Sequence, residues 1–328
     1  MKRLVLLASL LLTLLATAGC ESLSYYSQAI GGQFGILSAA RPIDAWLADP
    51  ATPGDLRERL ALAKRIRRFA SEQLDLPDNR SYTTYAELGR PFVVWNVFAA
   101  PALSVEPKKE CFPFTGCVSY RGFFAEADAR RHAEALSKQG YDVHVGGVPA
   151  YSTLGWFDDP LLSTFIRYPD AQLARLVFHE LAHQVVYARD DTTFNESFAV
   201  AVEEEGVKRW LQAEGRGAEL EGFHASQARR QKFAADVKEA RTRLEAVYQD
   251  ASLSSEAKAV KKREEYEKLR RLYPGIPADP NNAFLASVGL YTDLVPKFEQ
   301  LLRASDSLPA FYARVKELVK SGEYRRAS

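Results

Sequence analysis

Apolar residues recur at three- and four-residue spacings along much of the chain, which is the pattern of helices with one buried face. Between Arg57 and Leu74, Leu, Ala and Ile alternate in this way with Arg and Lys, and residues 21–76 are predicted to be mainly helical. The charge-rich stretch 217–272 predicts a long helical hairpin, broken near residues 252–255. We interpret this hairpin as a solvated surface inserted in the domain; a role in binding a partner or gating a substrate stays open.

The middle of the chain combines strand-like and helical patterns. Residues 90–98 (RPFVVWNVF) and 142–148 (DVHVGGV) are rich in β-branched and aromatic residues and predict strands. An amphipathic helix is predicted between them, from Ala125 to Gln139, and Gly140 is well placed to end it. The fold class predicted is α+β, predominantly helical, with a small sheet.

A pair of helices is predicted after Pro169. Asp170 is the candidate N-cap of the first, which runs to about Tyr187. Its apolar face consists of Leu173, Leu176, Val177, Leu181 and Val185. After a short turn, Asn195 is the candidate N-cap of a second helix that continues through Trp210. The second helix would pack back against the first through Phe198, Val202 and Val207.

The first of these helices carries His179-Glu180-Leu181-Ala182-His183, and the second carries Glu196 after twelve intervening residues. Histidines four residues apart lie about 40° apart around a helix axis, so His179 and His183 would face one metal ion. Glu196 would be the third protein ligand of a zinc ion, Zn²⁺. Glu180 is offset from the ligands and is the candidate general base, which takes a proton from the attacking water.

The same pattern has an alternative interpretation, because His and Glu at these spacings also occur by chance on surface helices. The downstream Glu196 and the small number of histidines favour the metal site, since two of only five lie here. The remaining three have no ligand-like spacing; they are His132, His144 and His224. Glu203, seven residues after Glu196 and on roughly the same helix face, either orients a ligand histidine or is a surface glutamate.

Two histidines, a base and a downstream glutamate in this pattern predict a zinc peptidase site. Hydrolysis of a peptide bond there needs a further hydrogen-bond donor for the oxyanion that forms on the carbonyl. Tyr291 is the preferred candidate among 15 tyrosines, with Tyr151 and Tyr187 behind it. Residues 145–154 are strand-like. They could form an edge strand along which an extended substrate peptide aligns. The alternative is an internal strand, or a loop, that supports Trp156.

Three residues of this region are candidates for the substrate cleft: Tyr151, Ser152 and Gly155. Two acidic residues follow them, Asp158 and Asp159. Either these carboxylates bind the amino group of a substrate, or they cap the turn at Pro160.

The amino terminus predicts a signal peptide. Lys2 and Arg3 precede an apolar run, residues 4–15, that is too short to span a bilayer comfortably. Small residues follow it up to Cys20. We interpret residues 1–19 as the signal peptide and residues 20–328 as the mature domain.

Thr17-Ala18-Gly19-Cys20 is an acceptable lipobox, so Cys20 is predicted to carry a lipid anchor. An ordinary secreted protein with a free cysteine is the alternative. Glu21 follows Cys20, whereas Asp at that position is the usual signal for retention in the inner membrane. The predicted location is therefore the bacterial cell envelope, at the outer membrane facing the periplasm.

Cys111 and Cys117 are the only other cysteines. Five residues separate them, and an oxidising compartment would let them form a small disulfide. A zinc site is the weaker alternative, because two cysteines alone do not complete one. The disulfide would rigidify the loop that presents Tyr120 and Arg121, which are candidates for the cleft wall.

The composition agrees with a globular domain that has a sizeable core. Of 328 residues, 47% are hydrophobic and 26% are charged. The net charge of +1 gives no electrostatic basis for binding nucleic acid. The predicted partners are a peptide or protein substrate and, through the lipid anchor, a membrane.

Two helical segments, residues 179–184 (HELAHQ) and 195–199 (NESFA), together with Glu203, resemble the motifs of gluzincin aminopeptidases. The resemblance implies a zincin-like metallopeptidase core, with the two histidines and Glu196 as zinc ligands and Glu180 as the base. The chain departs from that class in the short connection between its motifs. It also lacks the Gly-x-Met-Glu-Asn segment that binds a substrate's free amine.

Further segments carry a second resemblance: 25–29 (YYSQA), 111–117 (CFPFTGC), 120–122 (YRG) and 151–160 (YSTLGWFDDP). They are similar to a bacterial lipoprotein family described as predicted aminopeptidases, and the similarity covers nearly the whole mature chain. The sequence thus predicts a zinc-dependent peptidase, with aminopeptidase as the preferred activity. The alternatives are an envelope endopeptidase and a non-catalytic lipoprotein in which zinc joins two helices and the hairpin binds a partner.

Overall fold

The computed structural model describes residues 25–112 and 116–323. The fold is α+β and predominantly helical, as predicted. Its helices are α1 (25–39), α2 (Ile43–Ala48), α3 (Gly54–Leu74), α4 (Glu126–Lys138), α5 (Asp170–Ala182), α6 (Thr192–Ala213), α7 (Gly217–Gln249), α8 (Ser255–Leu272), α9 (Asn282–Thr292), α10 (Val295–Arg303) and α11 (Leu308–Ser321). Its strands are β1 (Arg41–Pro42), β2 (Thr84–Ala86), β3 (Val94–Pro101), β4 (Glu110–Phe112), β5 (Gly116–Val118), β6 (Arg121–Phe123), β7 (Tyr141–Val148) and β8 (Leu161–Leu162). The predicted signal peptide, Cys20 and Glu21 lie outside the described residues.

Within residues 25–112 and 116–323, the strands form two small sheets and a hairpin. The strand orders are β1-β2-β8 and β6-β3-β7, and β4 pairs with β5. β3 and β7 run antiparallel from Val94 opposite Val148 to Pro101 opposite Tyr141. β3 begins four residues later than predicted, after Pro91, which has no amide hydrogen for a ladder.

The alternation of side chains along β3 explains how its sheet is covered on both faces. Trp95, Val97 and Ala99 point to one face and pack with α4. Phe98 and Ala100 point to the other face and pack with α9. Helix α9 is thereby fixed against the sheet, and its last turn reaches the functional site described below.

The largest hydrophobic core is built mainly from α3, α5, α6 and α11. Phe178 of α5 and Phe198 and Trp210 of α6 are almost completely buried there. Gly206 lets α5 and α6 approach closely, because a Cβ at this position would lie 2.7 Å from the Phe178 ring. The two helices that carry the predicted metal ligands are therefore packed directly against each other.

The boundaries of α5 and α6 differ from the predicted ones. The predicted end of the first helix at Tyr187 is wrong: α5 ends at Ala182, and the chain then tightens through a hydrogen bond from Gln184 N–H to the Leu181 carbonyl. The predicted cap of the second helix is also wrong, since Asp191, and not Asn195, accepts the capping hydrogen bond. Pro169 occupies the N-cap position of α5, so Asp170 is its first residue.

Helices α7 and α8 form the predicted hairpin and are separated by residues 250–254. Val237, Ala240 and Leu244 of α7 pack against Tyr266 and Leu269 of α8. This apolar seam also contacts α9 and so joins the hairpin to the rest of the fold. Among the described residues, none of the helices combines the length and the apolar character needed to cross a bilayer.

Candidate metal centre

Helix α5 carries His179, and His183 is its C-cap residue, whose helical backbone places it one turn further on the same face. Both side chains are buried, and their Nε2 atoms lie 3.2 Å from each other. Leu181 and Ala182, between them, are completely buried in the core. The packing of the helix thus fixes the direction of both imidazole rings.

The turn between α5 and α6 brings Glu196 to the two histidines. Its Oε2 atom lies 3.3 Å from Nε2 of His179 and 3.6 Å from Nε2 of His183. Asn195 closes the turn, since its side chain accepts a hydrogen bond from the Ala188 N–H and donates one to the Ala188 carbonyl. This closed turn explains how a connection of only twelve residues suffices.

The three ligand atoms have the spacing of a tetrahedral metal site. They all lie within 4.8 Å of one another. Atoms bound at about 2.0–2.1 Å to an ion such as zinc stand roughly 3.3–3.5 Å apart in tetrahedral geometry. The separations described above agree with this spacing, so the two imidazoles and the carboxylate fit a bound metal ion.

Glu203 contacts the side of the His179 ring that faces away from the other ligands. Its Oε2 atom lies 2.8 Å from Nδ1 of His179, and its Oε1 atom accepts a hydrogen bond from Arg175 at 3.0 Å. An Nδ1–H donated to this carboxylate leaves the lone pair on Nε2, which is the tautomer that binds a metal. Glu203 is 2% exposed and is therefore not a surface glutamate.

The centre concentrates opposite charges away from solvent. Burial lowers the pKa of His179, but hydrogen bonds to Glu196 and Glu203 outweigh burial and raise it to about 10. Burial raises the pKa of Glu196, but the charge of His183 and hydrogen bonds to both histidines lower it to about 2. The two carboxylates thus supply the negative charge that balances a cationic partner, either an imidazolium or a metal ion.

Glu180 is offset from the candidate ligands, and its carboxylate has no hydrogen bond within the described part of the chain. Burial raises the pKa of this carboxyl group; the charges of His179 and His183 lower it, those of Glu196 and Asp159 raise it, and the result is about 7. A carboxyl group with this pKa exchanges protons readily at neutral pH.

A cavity of about 650 Å³ opens beside the centre, a size that accommodates a short peptide or another small ligand. His179 and Glu180 form part of its wall. Helix α7 contributes Arg230, Ala234 and Lys238, whereas α8 contributes no lining residue. The interpretation of the hairpin as a solvated surface is therefore incomplete, because one face of α7 belongs to the cavity.

Two tyrosine side chains lie close to the acidic groups of the centre. Tyr291 lines the cavity, and burial together with Glu196, Tyr120 and Glu180 raises its pKa well above the usual value. Tyr120 packs on Phe98, and burial together with Glu196, Tyr187 and Glu180 raises its pKa in the same way. Both phenols therefore stay protonated and are able to donate hydrogen bonds.

The neighbours of these tyrosines have other contacts. Arg121 lies over the ring of Tyr25, 4.2 Å from its centroid, and does not line the cavity. Tyr187 is half-buried, and burial, Glu196 and Asp190 raise its pKa. Of the pair predicted for the cleft wall, Tyr120 is thus the one close to the candidate metal ligands.

Tyr82 is a further residue near Glu180 that sequence analysis misses. It is 2% exposed, its backbone is left-handed (φ 64°), and its hydroxyl has no hydrogen-bond partner in the described regions. Burial, Glu180 and Asp159 raise its pKa well above the usual value. A left-handed backbone is uncommon for tyrosine. The sequence therefore gives no reason to expect this conformation, or this position, at Tyr82.

The predicted strand over residues 145–154 is wrong in its second half. β7 ends at Val148, and Pro149 follows it without an amide hydrogen to continue the ladder. Within the described chain β7 pairs with β3 alone and is an edge strand. Trp156, which an internal strand or loop would have supported, is 76% exposed.

The three predicted cleft residues do not line the cavity. Tyr151 packs against the Phe124 ring, and Ser152 accepts a hydrogen bond from the Leu154 N–H. Gly155 has a left-handed backbone (φ 81°) and lies next to the Gln184 side chain. The part of this segment that reaches the cavity comes earlier: Val148, Pro149 and Ala150.

Asp158 and Asp159 have different surroundings. Asp159 is buried and accepts hydrogen bonds from the N–H and the hydroxyl of Thr153, each at 2.8 Å. Burial raises its pKa to about 6, against these hydrogen bonds. Asp158 is exposed and pairs with Arg80 at 3.3 Å. Asp159 therefore closes the loop over residues 153–159.

Cys111 and Cys117 form the predicted disulfide and face each other in the β4–β5 hairpin. The Cys117 N–H donates to Oδ1 of Asp190 at 2.6 Å. Gly116 permits this contact, because a Cβ there would lie 2.2 Å from the same oxygen. Asp190 belongs to the turn between α5 and α6, so the hairpin is attached directly to the segment that connects the ligand helices.

Comparison with known proteins gives a match over almost the whole chain. A profile of the family described as "putative aminopeptidase" matches residues 24–328. The matched range includes both ligand helices and the α7–α8 hairpin. No curated protein and no solved structure matches significantly.

Proposed function

The chain belongs to the family described as "putative aminopeptidase", and from this premise we propose that it is a zinc-dependent aminopeptidase. The observation that carries the proposal is the convergence of His179, His183 and Glu196 beside a cavity whose wall contains Glu180. Three protein ligands next to an open cavity are typical of catalytic zinc, whereas structural zinc usually has four. This contrast argues against a site that only joins two helices.

The donor set supports zinc as the ion. Two imidazoles and one carboxylate suit zinc, whereas magnesium and calcium prefer oxygen ligands. When bound, zinc lowers the pKa of a water molecule and polarises the carbonyl of the scissile peptide. Glu203 holds the His179 ring with Nε2 directed towards the other ligands.

Glu180 performs the proton transfers in this proposal. It takes a proton from the attacking water and delivers it to the leaving nitrogen. Burial raises the pKa of this carboxyl group above its usual value, which helps it to hold the proton between the two steps. No ion pair or hydrogen bond of the described residues occupies its carboxylate.

The hydroxyls of Tyr291 and Tyr120 are the donors proposed for the carbonyl oxygen as it gains negative charge. Both phenols are protonated and lie near Glu180 and Glu196. They come from α9 and from the residue before β6, so the fold brings two distant segments to one centre. Donors fixed before the reaction stabilise the transition state without reorganisation.

We further propose that Cys20 carries a lipid and that the domain faces the periplasm at the outer membrane. The lipobox and Glu21 support this location. The disulfide between Cys111 and Cys117 is consistent with an oxidising compartment. Labelling of the wild-type chain with a fatty acid, and loss of the label in Cys20→Ser, would test the anchor.

The peptidase proposal is tested with the mature chain and two matched sets of peptides, one with a free amino terminus and one acetylated. We expect zinc-dependent release of the first residue from the free peptides and no cleavage of the acetylated ones. A chelator should abolish the release and added zinc should restore it.

Equal cleavage of both sets would replace the aminopeptidase proposal with the endopeptidase alternative. Zinc binding without cleavage of any peptide in a diverse library would favour the non-catalytic alternative.

A further inference from the structure

The exposed side of α1 carries a row of apolar side chains. Tyr26, Ile30 and Phe34 recur every four residues and are 36%, 57% and 63% exposed. Residues at this spacing lie on one side of a helix. Of the seven large apolar side chains that are exposed in the described chain, three belong to this row, so α1 has more of them than any other described helix.

The opposite side of α1 is fixed to the body of the protein. The Tyr25 ring stacks on Phe112 at 5.4 Å, and Gln28 accepts a hydrogen bond from the Phe124 N–H. Gly32 touches the Phe124 ring so closely that a Cβ would lie 2.2 Å from it. Because these contacts set the rotation of the helix, the apolar row faces outward.

The sequence around this row is free of charge. Residues 22–40 contain no Asp, Glu, Lys, Arg or His, although charged residues make up 26% of the whole chain. Helix α1 itself therefore offers no charge to attract a charged partner. The free energy falls when its exposed apolar side chains leave water for an apolar environment.

The position of α1 in the chain limits where it can lie. Tyr25 comes five residues after Cys20. An extended chain spans at most about 3.6 Å per residue, so Tyr25 stays within about 18 Å of Cys20. If Cys20 is lipidated, this tether keeps the start of α1 at the surface of the bilayer.

We propose that α1 lies on the membrane and inserts Tyr26, Ile30 and Phe34 into the boundary between the headgroups and the acyl chains. The lipid anchor of the proposed function would hold α1 near the membrane, but the three side chains make the contact themselves, independently of the anchor and of the metal chemistry. Aromatic and aliphatic side chains in one row are suited to this boundary. Since α1 carries no charge, we expect its insertion to need no anionic lipid and to resist added salt.

Flotation with vesicles tests the inference separately from the anchor. The mature chain with Cys20→Ser carries no acyl chain, and we expect it to float with phosphatidylcholine vesicles. Ile30→Ser combined with Phe34→Ser should weaken this partitioning about tenfold or more, because two apolar side chains are lost from the contact. The matched control changes Val260 and Leu272 of α8 to Ser; they are 43% and 57% exposed, and partitioning should not change.

Equal flotation of the two double variants, or no flotation of the Cys20→Ser chain, would overturn the inference. If sedimentation instead shows a dimer that only the α1 variant disrupts, with no flotation, the row is a contact between copies and the inference also fails. Hydrolysis of a soluble peptide should be equal in all these chains. A chain that floats without hydrolysing peptides would count against the proposed activity and not against the membrane contact.

Discussion

Two glutamates beside His179 contact different groups, and this difference gives each its own role. Glu203 is hydrogen-bonded to the His179 ring and to Arg175. The Glu180 carboxylate has no hydrogen bond in the described chain, and Glu180 lines the cavity. Substitutions at the two positions should therefore affect catalysis and metal binding separately.

Glu180→Gln should reduce peptide hydrolysis by roughly 10²–10⁴-fold, because the amide cannot accept the proton from water. Its metal content should equal that of the wild type, since Glu180 is not a ligand. Steady-state hydrolysis together with metal analysis measures both properties. Glu299→Gln makes the same chemical change elsewhere in the cavity wall and should have little effect. Unchanged turnover in Glu180→Gln would exclude it as the base.

Glu203→Ala should weaken zinc binding by about 10–100-fold, because the His179 ring loses the carboxylate that orients it. Arg175→Gln is the comparison, since it removes the other partner of Glu203 and keeps the His179 contact. Competition with a chelator gives the affinity of each chain. Equal affinities of Glu203→Ala and the wild type would show that the contact does not support the ligand.

Asp159 should make the stability of the fold depend on pH. Its pKa rises from 3.8 to about 6 on folding, so the folded chain binds the proton more tightly between these values. The free energy of unfolding should therefore fall by up to about 3 kcal/mol as the pH rises from about 4 to about 6, and this contribution should not change further above that range.

Asp159→Asn has no titrating group at this position, so its free energy of unfolding should not show this fall. The variant should therefore gain stability relative to the wild type as the pH rises from about 4 to about 6. Urea unfolding at several pH values measures the difference. Asp158→Asn removes a charge from the same loop and serves as the control. A constant difference between the wild type and Asp159→Asn from pH 4 to pH 7 would contradict the burial argument.

At the scale of elements, the β4–β5 hairpin links the disulfide to the turn between the ligand helices. Cys111→Ser with Cys117→Ser should lower the free energy of unfolding by about 2 kcal/mol, which is the loop-entropy estimate for so short a ring. Denaturant unfolding of the oxidised wild type and of the double variant gives this value. If the two chains unfold at the same denaturant concentration, the disulfide does not stabilise the fold.

The sequence predicts the ligand helices better than it predicts their ends. The apolar period of α5 and α6 is local information and places both elements correctly. Their boundaries depend on the closed turn, in which Asn195 bonds to Ala188 and Asp190 adopts φ 69°. Helical period and capping preference do not encode these contacts, and Asn195 is therefore mistaken for a cap.

At the scale of the whole molecule, the convergence of the three candidate metal ligands could be predicted because all three lie within eighteen consecutive residues. The cavity could not, because its wall combines α5, α7, α9 and the end of β7. Tyr82 and Tyr120 approach Glu180 through long-range packing, and no local pattern marks such an approach. For the same reason, the sequence does not distinguish the face of α7 that lines the cavity from a face that is exposed to solvent.

The proposed zinc site is tested most directly by the metal content of the purified mature chain. The chain is first equilibrated with zinc, and the excess zinc is then removed. We predict about one zinc ion per chain in the wild type and in Glu180→Gln. We predict none in a folded His183→Ala chain, which loses one of the three converging ligands. A folded wild-type chain that retains no zinc under these conditions would contradict the proposed zinc site.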